Sequence, residues 1–321
     1  MTNEYFSMTT LAGGDVARLT RSPEIQKNKA ALFIPPQYEG GAEVDGQYSR
    51  FIRTILDEEN NREIAMVSPY LEDILAGDGE LCENIFYTML AGDIVRAAPP
   101  NTRIMYQDLI NEWIRTSDPD IKYLEDLADT VRLAQTTRTY EKTICAIGEP
   151  QILFNDYTTN HTFRRIEERG HRVVYAPLSE YMWMLWRDCT EQINGGEDAC
   201  IAKQRLRRLE DHISKIHTKL GGEFSPFERN LNTLVENADA TMGYYAGAFG
   251  RYRGGAKLLG DGPNVDGAIT VASMYENTGI ALGILHPAFA DASTPPVLNL
   301  TFDGTLNEND ETKVESFLLY L

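Results

Sequence analysis

The stretch from Lys142 to Pro177 constrains the fold more than any other part of the chain. It opens with an apolar run, Thr143 to Ile147, and closes with a second, β-branched run, Val173 to Ala176. Between these two runs lies a helical pattern that ends at Gly170. Strand, helix and strand in this order form a βαβ unit, whose two strands run parallel. The loop that follows the first strand, residues 148–161, is therefore expected at the carboxyl edge of a sheet, where open α/β sheets bind ligands.

The same order of elements occurs twice more along the chain. Apolar runs at 30–35 and 64–67 enclose an amphipathic helical pattern, and runs at 268–272 and 297–302 enclose another. Three such units are typical of α/β proteins, so the sequence predicts two doubly wound, Rossmann- or flavodoxin-like parallel sheets. The second sheet is predicted to hold strands 143–147, 172–176, 268–272 and 297–302.

The length of 321 residues suggests two domains or one large one. We place the boundary near residue 140, which gives an N-terminal α/β domain at 1–140 and a C-terminal α/β domain at 141–321. Helical patterns without a strand fill residues 178–250, so this segment is predicted to be a helical insertion in the second domain.

The net charge of −18 argues against a nucleic-acid partner, since affinity for phosphates comes mainly from Lys and Arg. No run of the sequence reaches the ~18 apolar residues of a membrane helix, so no membrane association is expected. The start of the chain lacks the basic and apolar regions of a signal peptide. We therefore expect a cytoplasmic protein. A disulfide between Cys189 and Cys200 is geometrically possible but disfavoured in a reducing compartment.

Polar side chains on the predicted carboxyl-edge loops are the first candidates for chemistry, although no catalytic residue can be assigned. Glu43, Glu149 and Asp156 can act there as acids, bases or ligands, or they can be solvated loop charges. His161 precedes a predicted helix, where it can be a general acid–base or a capping residue. The sequence contains no nucleophile elbow, P-loop or HExxH pattern.

Three ordered stretches resemble one known family. The first, 29–69, has a strand, a glycine-rich loop, a Gly-Gln-Tyr at 46–48 and a helix. The second, 147–180, has a Gly-Glu strand end and an asparagine-containing loop, and the third, 268–317, has a Leu-Asn-Leu-Thr-Phe-Asp-Gly strand end. In this order they resemble the 2-hydroxyacyl-CoA dehydratase and benzoyl-CoA reductase superfamily, most closely its acyl-CoA dehydratase activase-related proteins.

The resemblance implies an iron–sulfur site that this chain departs from. Members of the family typically hold a [4Fe-4S] cluster through three cysteines and receive electrons from an ATP-hydrolysing activator of the BadF type. The three cysteine positions fall here at Tyr5, at Glu43 (or at Ala42 with a one-residue shift) and at Ser273. Because iron–sulfur clusters are held by thiolates, the resemblance implies no cofactor on this chain and no metal. The remaining candidates for lining the former cluster pocket are Gln47, Tyr48, Glu149, Asn155, His161 and Asn277.

The resemblance leaves three functions open. The preferred one is a cluster-less partner or scaffold subunit of an ATP-activated reductase- or dehydratase-like complex. Its candidate partners are a homologous or identical subunit and the BadF-type activator. The second is an enzyme that has reused the pocket at Tyr5, Glu43 and Ser273. The third is a genuine [4Fe-4S] acyl-CoA dehydratase or reductase component whose ligands lie elsewhere in the chain.

Overall fold

The computed structural model describes residues 21, 31–33, 50, 52–58, 64–67, 79–116, 120–192, 197–241, 252, 254, 265–273, 295–302 and 308–321. These residues form a mixed α/β structure with two parallel sheets. The first sheet is a pair, β1 (Ala31–Phe33) and β2 (Ala65–Val67), in which Ala31 lies opposite Ala65. Helix α1, at 52–58, lies between the two strands in the chain, which is the predicted order of elements for this segment.

The second sheet has four strands, and all of its neighbouring strands are parallel. Its members are β3 (Thr143–Gly148), β4 (Arg172–Tyr175), β5 (Gly267–Ser273) and β6 (Val297–Phe302). The prediction of these four strands in one sheet is confirmed. Their spatial order is β4-β3-β5-β6. The chain therefore adds β4 on one side of β3 and then returns to add β5 on its other side.

Several helices follow residue 78 in the described part of the chain. They are α2 (Gly79–Ala97), α3 (Arg103–Thr116), α4 (Ile121–Gln135), α5 (Pro150–Leu153), α6 (Thr162–Glu168), α7 (Leu178–Gln192), α8 (Glu197–Leu220), α9 (Leu231–Thr241) and α10 (Glu308–Tyr320). Local signals account for several of the ends. Asp120 caps α4 by accepting a hydrogen bond from the Tyr123 N–H at 2.7 Å. Pro100 follows α2 and opens a 3-10 turn, since proline lacks the N–H that would continue the helix.

Both faces of the four-stranded sheet are covered, as parallel sheets require. Alternate residues of β3 point to opposite sides: Cys145 and Ile147 belong to one core, and Ile144 and Ala146 belong to the other. The first core is built with the large helices α2, α4, α7 and α8, and the second with α5, α6 and α10. Trp186 on α7 is fully buried in the first core beside Phe86.

The first core joins helices from before and after residue 140, because α4 packs on α8 and α2 packs on α7. The domain boundary near residue 140 stays a prediction. Helices α7, α8 and α9 occupy most of the segment predicted to be a helical insertion. No helix in the described ranges is both long enough and apolar enough to cross a membrane.

Candidate functional site

The candidate site lies where the order of the strands reverses, between the carboxyl ends of β3 and β5. Open α/β sheets bind ligands at such a switch point. Glu149 directly follows β3, and Ser273 is the last residue of β5. The Ser273 hydroxyl and N–H both donate to Glu149 Oε1, at 3.1 Å and 3.3 Å. The carboxylate therefore bridges the two strand ends.

Both partners are withdrawn from solvent. The exposed fraction is 3% for Glu149 and 0% for Ser273. The backbone supports the same contact, because the Glu149 N–H donates to the Val271 carbonyl at 3.2 Å. A buried carboxylate needs hydrogen-bond donors to offset its lost hydration, and Ser273 supplies two of them from the neighbouring strand.

Gly148 allows the two strands to come this close. A Cβ at this position would lie 2.2 Å from the Val271 carbonyl oxygen and 2.3 Å from its Cγ2. Real Cβ atoms essentially never come within 3.0 Å of such atoms. Any side chain here would therefore push β5 away from β3 and separate Glu149 from Ser273.

The loop between β3 and α6 is held mainly by its own hydrogen bonds. The Asn155 side chain accepts from the Tyr157 N–H at 3.0 Å, which is a local turn. Asn160 and His161 both have left-handed backbones, with φ of 48° and 56°. Non-glycine residues rarely adopt this region, and strained conformations of this kind cluster at functional sites. His161 occupies the N-cap position of α6, as the capping interpretation predicts, but its side chain makes no capping hydrogen bond.

A fixed positive charge lies at the carboxyl end of β4. The guanidinium of Arg96 stacks 4.5 Å from the Phe154 ring centroid and 5.2 Å from that of Tyr175, the last residue of β4. It also donates to the Phe154 carbonyl at 3.1 Å. Burial lowers the pKa of Arg96 from its ordinary value, but a guanidinium remains protonated in proteins. This part of the edge therefore carries a cation, for which sequence reasoning gave no signal.

The structure places four of the predicted site residues after β3 or β5. Glu149 and Ser273 are joined by hydrogen bonds, whereas Asn155 and His161 lie in the loop after β3, with His161 exposed. The other five lie outside the described residues: Tyr5, Glu43, Gln47, Tyr48 and Asn277.

Cysteine chemistry is absent from this edge in the described part of the chain. Cys145 lies within β3 and is buried, and this burial raises the pKa of its thiol to about 12. Cys200 is a free, exposed thiol. Among the described residues, no group of three or more His, Cys, Asp or Glu side chains is placed to hold a metal ion.

The arrangement at β3 and β5 suits recognition of a donor group or a proton transfer. An ionised glutamate accepts hydrogen bonds from hydroxyl, amine or backbone N–H groups, and a positioned glutamate can act as a general base.

Comparison of the chain with protein-family models gives no match, and comparisons with curated proteins and with solved structures give no significant relative. Function is therefore inferred from the fold and from these contacts.

Proposed function

We propose that the protein binds a small polar molecule in the crevice between the carboxyl ends of β3 and β5. The observation that carries the proposal is the hydrogen-bonded pair of Glu149 and Ser273 at the point where the strand order reverses. Ligands of open α/β sheets bind at this point because the two crossover connections leave in opposite directions and open a crevice between them.

Glu149 is the recognition group of this site. Its carboxylate accepts a hydrogen bond from a hydroxyl or amine of the ligand, and the Ser273 hydroxyl holds it in position. A charge-assisted hydrogen bond in a site shielded from water is worth about 1.5–3 kcal/mol. Arg96, at the end of β4, supplies a positive charge for an anionic end of the ligand. The favoured ligands are therefore small hydroxy or amino acids.

A panel of hydroxy acids, amino acids and acyl-CoA thioesters, measured by ligand-detected NMR, tests the proposal. Glu149→Gln keeps the shape of the side chain but removes its charge, so it should weaken the binding of hydroxy and amino acids that occupy this crevice. Glu236→Gln changes an exposed carboxylate on α9 in the same way, and this control should bind normally. Equal binding by the unaltered protein and Glu149→Gln would refute the role of Glu149.

The position of Ser273 favours a second candidate function. The family resemblance places a cluster cysteine at this residue, but the serine hydroxyl cannot replace a thiolate and is bonded to Glu149. On this hypothesis the chain is a cluster-less component of the 2-hydroxyacyl-CoA dehydratase type, with two doubly wound sheets. It acts as the partner or scaffold subunit of a homologous or identical chain, while the electron transfer takes place on another subunit.

Iron and acid-labile sulfide analysis of protein purified without air tests this second candidate. We expect far less than one iron per chain, whereas about four irons per chain would identify a [4Fe-4S] protein. Affinity purification from cells that express the native protein should then recover a cysteine-bearing homologue or an ATPase activator. Recovery of the chain alone, as a monomer, would contradict the role of a subunit.

A further inference from the structure

A cavity of about 370 Å³ lies on the opposite side of the sheet from the carboxyl edge. Its walls come from the 3-10 turn Pro100–Thr102, the segment 138–140 that leads into β3, and the end of α6 up to Gly170. Because 138–140 and Gly170 precede β3 and β4, the cavity lies at the amino edge. Its volume falls in the range of sites that bind small organic molecules, about 300–1,000 Å³.

Both carboxylates that line this cavity are paired with an arginine, whereas one lining arginine has no ion pair among the described residues. Glu167 is neutralised by Arg103, which donates to its two carboxylate oxygens at 2.7 Å and 2.8 Å. Glu168 is paired with Arg164, whose Nε lies 3.0 Å from its carboxylate. Arg138 instead donates to the uncharged side chain of Asn101. In the described part of the chain its guanidinium makes no ion pair, so no carboxylate neutralises this positive charge directly.

A cavity arginine without an ion pair is unexpected on a chain whose net charge is −18. The fold also holds the cation in place, because Asn101 in the 3-10 turn accepts from the Arg138 guanidinium. The remaining donors of this guanidinium can bind a carboxylate or a phosphate, for which arginine has a matching planar fork. Pro100 and Tyr140 provide an apolar and an aromatic wall beside it.

We propose that this amino-edge cavity is a second binding site, which takes a small organic anion. Arg138 binds the carboxylate or phosphate group, and the body of the molecule lies against Pro100 and Tyr140. This site is separate from the crevice at Glu149, and its ligand is selected by negative charge rather than by a donor group.

Two pairs of probes test the proposal by isothermal titration calorimetry at low ionic strength. Benzoate is compared with benzamide, and adenosine monophosphate with adenosine, so that each pair differs mainly in its anionic group. We expect at least one anion to bind at least tenfold more tightly than its neutral counterpart. The tighter of the two anions identifies the preferred group as a carboxylate or a phosphate. The affinity should fall as ionic strength rises from about 0.01 M to 0.1 M, since the Debye length shortens from about 30 Å to 10 Å.

Variants assign the binding to Arg138. Arg138→Gln should lower the affinity for the anion at least tenfold, which is the effect of losing one charge-assisted hydrogen bond. Arg138→Lys keeps the charge but not the planar fork, so its affinity for the anion should lie between those of the unaltered protein and Arg138→Gln. Arg207→Gln removes an exposed arginine from α8 and should bind normally. The proposal is overturned if neither anion binds, if the neutral probes bind equally well, or if Arg138→Gln has no effect.

Discussion

Replacing Gly148 by alanine should separate β3 from β5 at the edge where Glu149 meets Ser273. The added Cβ would lie 2.2 Å from a backbone oxygen of Val271. This oxygen cannot rotate away as the end of a flexible side chain can, so one of the two strands must move. The movement would also stretch the hydrogen bonds from the Glu149 N–H to Val271 and from Ser273 to Glu149.

The expected loss of stability is about 3 kcal/mol or more. Inserting an extra methyl group into a packed site typically costs about 1–3 kcal/mol, and each weakened hydrogen bond adds about 1 kcal/mol. A loss of this size is a large part of the 5–15 kcal/mol that stabilises a typical native protein. Gly92→Ala is the matched control, because a Cβ at this position in α2 meets no atom within 4 Å. This variant should gain about 0.5–1 kcal/mol, since alanine favours a helix over glycine.

Urea unfolding followed by circular dichroism measures both variants. With a slope of about 3 kcal/mol per molar urea, Gly148→Ala should lower the midpoint by about 1 M, whereas Gly92→Ala should raise it slightly. A Gly148→Ala protein that is as stable as the unaltered chain would show that β3 and β5 do not approach this closely. The geometry of the site between them would then be wrong as well.

Three buried side chains lead to further expected outcomes. Asp93 accepts three hydrogen bonds at the start of α7, two of them from Ser179 at 2.9 Å and 2.6 Å. Asp93→Ala should therefore cost about 2 kcal/mol in urea unfolding at pH 7, and a cost below about 0.5 kcal/mol would contradict this capping role. Burial raises the pKa of Glu180 well above its usual value of 4.5, so the stability due to its neutral form is lost as pH rises above 4.5. The urea midpoint of the unaltered protein should therefore decline from about pH 5 to 8, and Glu180→Gln should flatten this decline. An unchanged slope in the variant would contradict this role of Glu180. Burial raises the pKa of the Cys145 thiol to about 12, so peptide mapping after treatment of the native protein with a thiol reagent should find exposed Cys200 modified and Cys145 untouched. Modification of both at similar rates would count against the described packing.

The sequence predicted the four-stranded sheet well because its strands carry strong local signals. Continuous apolar runs such as Thr143 to Ile147 have few alternatives to a buried strand in a parallel sheet. The long helices α4 and α8 carry equally clear signals, since apolar residues recur along one face of each. The sequence also named Glu149 and Ser273 as parts of one pocket. Their direct hydrogen bond depends on the strand order, which no local pattern specifies.

Other features of the site depend on contacts between distant parts of the chain. Arg96 meets Phe154 across 58 positions of sequence, and Asp93 meets Ser179 across 86. Both Asp93 and Arg96 lie in α2, and no local pattern in this helix indicates their distant partners. The place of His161 before α6 predicts its N-cap position. The left-handed backbone of Asn160 and His161, in contrast, depends on how the loop closes. Propensity alone does not predict such a conformation.

The most direct test of the central claim uses the compound that the unaltered chain binds most tightly among those whose affinity Arg138→Gln leaves unchanged, and it measures the affinity of Glu149→Gln for this compound. Isothermal titration calorimetry should show binding about ten- to a hundredfold weaker in the variant, the effect of losing one charge-assisted hydrogen bond. The control Glu236→Gln should bind normally. If Glu149→Gln binds as tightly as the unaltered chain, or if no compound in the panel binds that chain, the crevice between β3 and β5 is not the site that we propose.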